Sequence, residues 1–133
     1  MKQKLSIITL GVESIEQSKK FYEDILGFSP TKDSNEHVVF YDMGCMQLGL
    51  FQWEELAKDA NVDKKGNGFR RFALAHNEPS KEAVDELFAE LKEKGVTIIK
   101  EPEDVFWGGY SGYFADPDSH LWEVAYNPFT DLT

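Results

Sequence analysis

The order of elements in the first half of the chain is written again in the second. Residues 5–12 are rich in Ile, Leu, Thr and Val and read as a strand. Ser14 and Gln17 then form a capping box. Ile15, Ser18, Phe21, Tyr22, Ile25 and Leu26 recur at helical spacing until Gly27 supplies the left-handed residue that ends a helix. Residues 28–32 and 36–42 read as a hairpin turned at Asp33-Ser34-Asn35, 45–52 as a further strand and 53–59 as a short helix. After a polar, Gly-containing linker at 60–68, the pattern returns as a strand over 69–76. Pro79-Ser80 starts a helix with Ala83, Val84, Leu87, Phe88 and Leu91 on one face, and Gly95 ends it. A strand over 96–100, an aromatic stretch over 105–110, and strands over 112–115 and 120–126 joined by Asp116-Pro117-Asp118-Ser119 complete it. The first strands lie 64 residues apart (Leu5 to Phe69) and the helix-ending glycines 68 apart (Gly27 to Gly95). Two copies are too few for a solenoid. The duplication predicts an α+β fold of two βαβββ modules, 1–59 and 69–133. Their sheets would curl toward each other with helices outside, leaving a cleft between them.

Charge and composition exclude several function classes. The net charge is −10, with eight Lys/Arg against eleven Asp/Glu in residues 1–66 and six against thirteen in 67–133, so neither half carries the basic stripe that nucleic acid needs. Cys45 is the single cysteine, which rules out an internal disulfide. No apolar run is long enough to span a bilayer and no signal peptide opens the chain, so the expectation is a cytoplasmic protein without membrane partners. Ten Phe, five Tyr and three Trp suit a cavity for a small organic molecule as well as a core.

Strand alternation assigns the expected cleft face. Thr9 from the first strand, Gln47, Gly49 and Phe51 from the fourth, Phe69 and Arg71 from the fifth, and Leu121, Glu123 and Ala125 from the last fall on the rows away from the helices. Phe51, Phe69, Trp107 and Tyr110 would supply aromatic walls. Arg71 and Glu123 place opposite charges in apolar surroundings, where an unpaired charge is costly. Either they neutralise each other, or Arg71 grips a planar carboxylate or phosphate of a ligand.

No HExxH, P-loop or Gly-x-Gly-x-x-Gly motif is present. His37, His76 and His120 are too scattered to rebuild a metal site, and His76 and His120 read as structural or surface histidines. Cys45 reads as a small strand hydrophobe.

Ile8-Thr9-Leu10-Gly11-Val12, Ser18-Lys19-Lys20-Phe21-Tyr22 and Ile25-Leu26-Gly27-Phe28, with the run Trp107-Gly108-Gly109-Tyr110-Ser111-Gly112-Tyr113-Phe114-Ala115-Asp116-Pro117-Asp118-Ser119-His120-Leu121-Trp122-Glu123, resemble the opening and closing motifs of the vicinal oxygen chelate superfamily, which takes in glyoxalases, bleomycin-resistance proteins and extradiol dioxygenases. The resemblance implies the paired βαβββ fold and a homodimer. It also implies that metal ligands, where the superfamily has them, would correspond to Ile7, Gly49, Arg71 and Glu123, of which only Glu123 can ligate. A catalytic metal normally takes about three protein ligands. The expectation is therefore a protein that binds or sequesters a small aromatic or acidic molecule, with no metal and no cofactor, using Arg71, Glu123, Phe51, Phe69, Trp107, Tyr110, Gln47 and Thr9. The alternative is a glyoxalase-like lyase or isomerase acting on a small carbonyl compound with Glu123 as general base.

Overall fold

The computed structural model describes every residue except Lys2, and the chain divides into two compact units, Met1–Gly68 and Phe69–Thr133. Among the described residues three helices and two mixed sheets give the α+β fold expected from the sequence. Among the described residues no helix is long and apolar enough to cross a membrane.

In the first unit β1 (Ile7–Val12) leads into α1 (Ile15–Lys19), which continues as a π-helical segment over Lys20–Ile25. The Ser14 hydroxyl accepts from the Gln17 amide as the capping box predicts, and Gly27 leaves the helix at φ 76°. β2 (Val38–Asp42) and β3 (Gln47–Gln52) follow, then α2 (Trp53–Asp59). The sheet order is β1-β3-β2, with β1 parallel to β3 and β2 antiparallel to it. The strand expected over 28–32 shrinks to a single bridge between Pro30 and Tyr41. Proline has no N–H to give a ladder, so pairing cannot extend through it. Leu10, Val12, Val39, Tyr41, Leu48 and Leu50 form the buried row of the sheet, joined by Phe21 and Tyr22 of the helix. The Tyr22 ring lies 5.9 Å from Tyr41 and from Phe28. Tyr41 reaches out of this core to donate to Glu23 Oε1 at 3.2 Å. Burial, and then the Glu23 charge, push its phenol well above the ordinary tyrosine range.

In the second unit β4 (Leu74–Asn77), α3 (Lys81–Glu93), β5 (Thr97–Asp104), β6 (Tyr110–Ala115) and β7 (Leu121–Tyr126) complete a βαβββ unit of sheet order β4-β7-β6-β5. Ser80 caps α3 by accepting from the Ala83 amide, and Gly95 ends the turn at φ 74°. Val84, Phe88 and Leu91 bury the apolar stripe of α3. Gly112, Phe114, Trp122 and Val124 share the sheet row that meets it, with Phe114 and Trp122 stacked 6.1 Å apart. Gly112 is required there by space. A Cβ on it would sit 2.7 Å from the Phe88 ring and 2.8 Å from the backbone at Lys100 and Pro102. Gly112→Ala should therefore lower the unfolding free energy by about 1–3 kcal/mol, the usual cost of overpacking a close-packed core. Urea unfolding checks this, and an unchanged midpoint would contradict the packing.

Candidate functional site

In the first unit the row turned away from the buried one reads Ile7–Gln47–Asp42, Thr9–Gly49–Phe40 and Gly11–Phe51–Val38 across the three strands. Thr9, Gln47 and Phe51 thus share one face, as alternation predicts; Thr9 is exposed and the other two are half-buried. Gly49 leaves a shallow notch there, flanked by Phe40 and Ile7, whose side chains lie 3.4–3.5 Å from where a Cβ would stand. α2 closes the far end of this face, since Trp53 and Leu56 come within 3.3 Å of the Gly11 Cβ position. Cys45 is not a strand residue. It is exposed in the turn before β3, beside a cavity of about 250 Å³ lined also by Lys4, Ser6, Asp42 and Gln47.

In the second unit the row away from α3 carries the polar and titratable side chains. Register places Ala75, Glu123, Tyr113 and Lys100 side by side across β4, β7, β6 and β5, with Ser111 and Ala125 forming the next pair along. Cross-strand neighbours of this kind stand about 4.5–5.5 Å apart at Cβ. Tyr113 and Glu123 are direct cross-strand partners, so the phenol lies beside the carboxylate. Burial first, and then the charge of Glu123, raise the Tyr113 phenol above its ordinary value, while Lys100 pulls it partly back. Lys100 itself pairs with Glu103 Oε1 at 2.7 Å. Glu123 and Tyr113 are half-buried, whereas Ser111 and Ala125 are only 2% and 5% exposed.

Arg71 departs from the expectation. β4 starts at Leu74, so residues 69–73 are not strand, and Arg71 is an exposed bend residue at φ 63°. Among the described residues it forms no ion pair with Glu123. The left-handed backbone after Gly68 (φ 77°) ends the alternation on which the facing of Phe69 and Arg71 depended. Phe69 is 70% exposed in the same segment. Tyr110 lies on the α3 side of β6, in the row of Gly112 and Phe114, and its hydroxyl donates to Asp85 Oδ1 at 2.8 Å under the Lys81 ammonium. Trp107 stands in the turn between β5 and β6 with its ring folded over Gly109. The second unit therefore brings none of Phe69, Arg71, Trp107 or Tyr110 into the row of Glu123. Tyr113, Lys100 and Ser111 are the residues missed by sequence reasoning. Extending period-two alternation along 110–115 would have put Ser111 and Tyr113 opposite Gly112 and Phe114.

His120 is buried, and its Nδ1 lies 2.8 Å from Asp116 Oδ2. The other Asp116 oxygen accepts the amides of Asp118 and His120 at 2.9 and 2.8 Å. One carboxylate thus ties the Asp-Pro-Asp-Ser turn together, a structural role for the closing motif. His76 is exposed and meets Glu78 at 2.8 Å.

A divalent ion does not fit the corners at which the resemblance would place it. In the first unit Ile7 and Phe40 present hydrocarbon around Gly49. In the second Arg71 stands off the sheet, which leaves Glu123 alone among the four positions with a side chain that can ligate. Among the described residues no three His, Cys, Asp or Glu come together as ligands.

Tyr110 offers a direct check of the α3-side geometry. Its hydrogen bond to Asp85, then burial and the charges of Asp85, Asp104 and Glu101, push the phenol up to about 12 from an ordinary 10. The raised value favours the folded state fully below pH 10, and that contribution fades as pH rises through 12. Ultraviolet titration should show a tyrosine ionising near 12, and Asp85→Asn should bring that midpoint down toward 10. A midpoint unmoved by Asp85→Asn would contradict the assignment.

The family model of the Glyoxalase/Bleomycin resistance protein/Dioxygenase superfamily matches residues 4–124. The chain is 32% identical over 126 residues to the uncharacterized protein YraH of Bacillus subtilis, spanning 91% of this chain and 96% of that one. A glyoxalase-related enzyme from Fulvimarina pelagi has the same fold at TM-score 0.87 and 32% identity, covering 99% of this chain and 94% of that one. A lactoylglutathione lyase from Agrobacterium tumefaciens shares the fold alone, at TM-score 0.74 and 21% identity over 96% of each chain. The chain belongs to the Glyoxalase/Bleomycin resistance protein/Dioxygenase superfamily.

Proposed function

We propose that this member of the superfamily binds a small organic molecule against the Glu123 face of its second sheet without help from a metal. The observation that carries the reading is the row Glu123–Tyr113–Lys100. A half-buried carboxylate set on a paired strand beside a phenol is placed before any ligand arrives, and placement in advance spares a ligand part of the ordering cost. Leu121, Ala125 and Ala75 surround it with apolar surface, so a few polar groups on a mostly apolar ground can fix a ligand's direction. In the first unit Thr9, Gln47 and Phe51 offer a comparable mixture around the Gly49 notch. Family membership supports assembly as a homodimer. Phe69 and Trp107 stand as candidate contacts in segments outside the strands.

The cross-strand pairing of Tyr113 with Glu123 favours a second reading. A carboxylate with a phenol partner can take a proton from a carbon next to a carbonyl and return it elsewhere, which is lyase or isomerase chemistry with Glu123 as base.

A thermal-shift and calorimetry screen of small aromatic molecules, run on protein treated with a chelator, separates the readings. Binding should persist without metal and weaken at least tenfold in Glu123→Ala, about 1.4 kcal/mol. Turnover of a carbonyl substrate that appears only after loading with a divalent metal would contradict both readings. Metal-free turnover lost in Glu123→Gln would establish the second.

A further inference from the structure

Resting on that binding reading, we infer that the Glu123 face selects a ligand carrying a protonated amine on a small apolar body, rather than the acidic ligand that a strand-borne Arg71 would have favoured. The charge inventory of the face drives this. The residues turned away from α3 are Ala75 and Asn77 of β4, Leu121, Glu123 and Ala125 of β7, Ser111, Tyr113 and Ala115 of β6, and Thr97, Lys100 and Glu103 of β5. Lys100 is the one cation among them, and at 2.7 Å from Glu103 its charge is already answered. That leaves Glu123 as the uncompensated charge of the face.

The carboxylate also has acceptor capacity to spare. An ionised Glu offers about four lone-pair sites on two oxygens, and the single hydroxyl of its cross-strand partner Tyr113 could fill only one of them. Its cross-strand neighbour on the other side is Ala75, and its neighbours along β7 on the same face are Leu121 and Ala125, none of which carries a side-chain donor. An incoming ammonium would supply both charge and N–H donors, and charge-assisted hydrogen bonds of this kind are roughly twice as strong as neutral ones. An incoming carboxylate would instead meet a like charge in partly desolvated surroundings, where repulsion is screened less than in water. Arg71 does not change the balance, because it stands outside β4 in an exposed bend and pairs with Glu123 nowhere among the described residues.

The test uses the full chain and three probes of one shape: 2-phenylethylamine, 2-phenylethanol and phenylacetate, titrated calorimetrically into metal-free protein at neutral pH. The amine should bind at least tenfold tighter than either of the others. That advantage should disappear in Glu123→Gln, while Arg71→Ala leaves the order unchanged. Because the order is read in the wild-type protein, the test stands even if Glu123→Gln folds poorly. Phenylacetate binding tightest, and losing its affinity in Arg71→Ala, would overturn the amine preference and leave the binding reading standing. No binding of any probe would overturn the inference together with the reading beneath it.

Discussion

The packing of α3 on its sheet sets the second unit's chemistry. Val84, Phe88 and Leu91 demand an apolar row with one gap, and Gly112, Phe114, Trp122 and Val124 provide it. Because side chains alternate strictly along a strand, that choice also fixes the other row. A slip of β7 by one residue would press Glu123 against Phe88 and lift Trp122 and Val124 away from the helix. Burial of the large apolar side chains makes that slip prohibitive. The site is therefore a by-product of the core: Glu123, Tyr113 and Ser111 face away from α3 because their neighbours cannot.

The first unit obeys the same rule with a different outcome. Its buried row of Leu10, Leu50, Val39 and Tyr41 leaves Thr9, Gly49, Phe51 and Phe40 on the reverse. Where the second unit carries Glu123, the first carries a glycine between hydrocarbon side chains. The duplicated architecture has kept the fold in both copies and a titratable group in one. This asymmetry makes a shared ion-holding role hard to sustain and a one-sided polar anchor reasonable.

Much of this was legible in the sequence, where local chemistry dictates local structure. Ser14 and Ser80 cap helices, Gly27 and Gly95 end them in left-handed conformations, and residues 53–59 form the short helix expected. The rows containing Thr9, Gln47, Phe51 and Glu123 followed from alternation, because those strands are continuous. Alternation misled over 69–73, where the apolar pattern resembles a strand but Gly68 and Arg71 take positive φ. Apolar spacing cannot report a backbone that has left the extended region. At Pro30 the missing N–H limits the pairing to one bridge, which the composition of 28–32 alone does not show. Tyr113 escaped notice because its importance lies in a cross-strand partner, and register is a tertiary fact.

The account's central claim is that Glu123 meets its ligand directly. Carbon-13 NMR of the glutamate side-chain carboxyls, with Glu123 assigned through Glu123→Gln, tests it in one titration of metal-free protein. The claim predicts that the Glu123 signal moves with saturation of 2-phenylethylamine and stays still when zinc or nickel is added. A Glu123 signal indifferent to the amine but displaced by stoichiometric metal would contradict it.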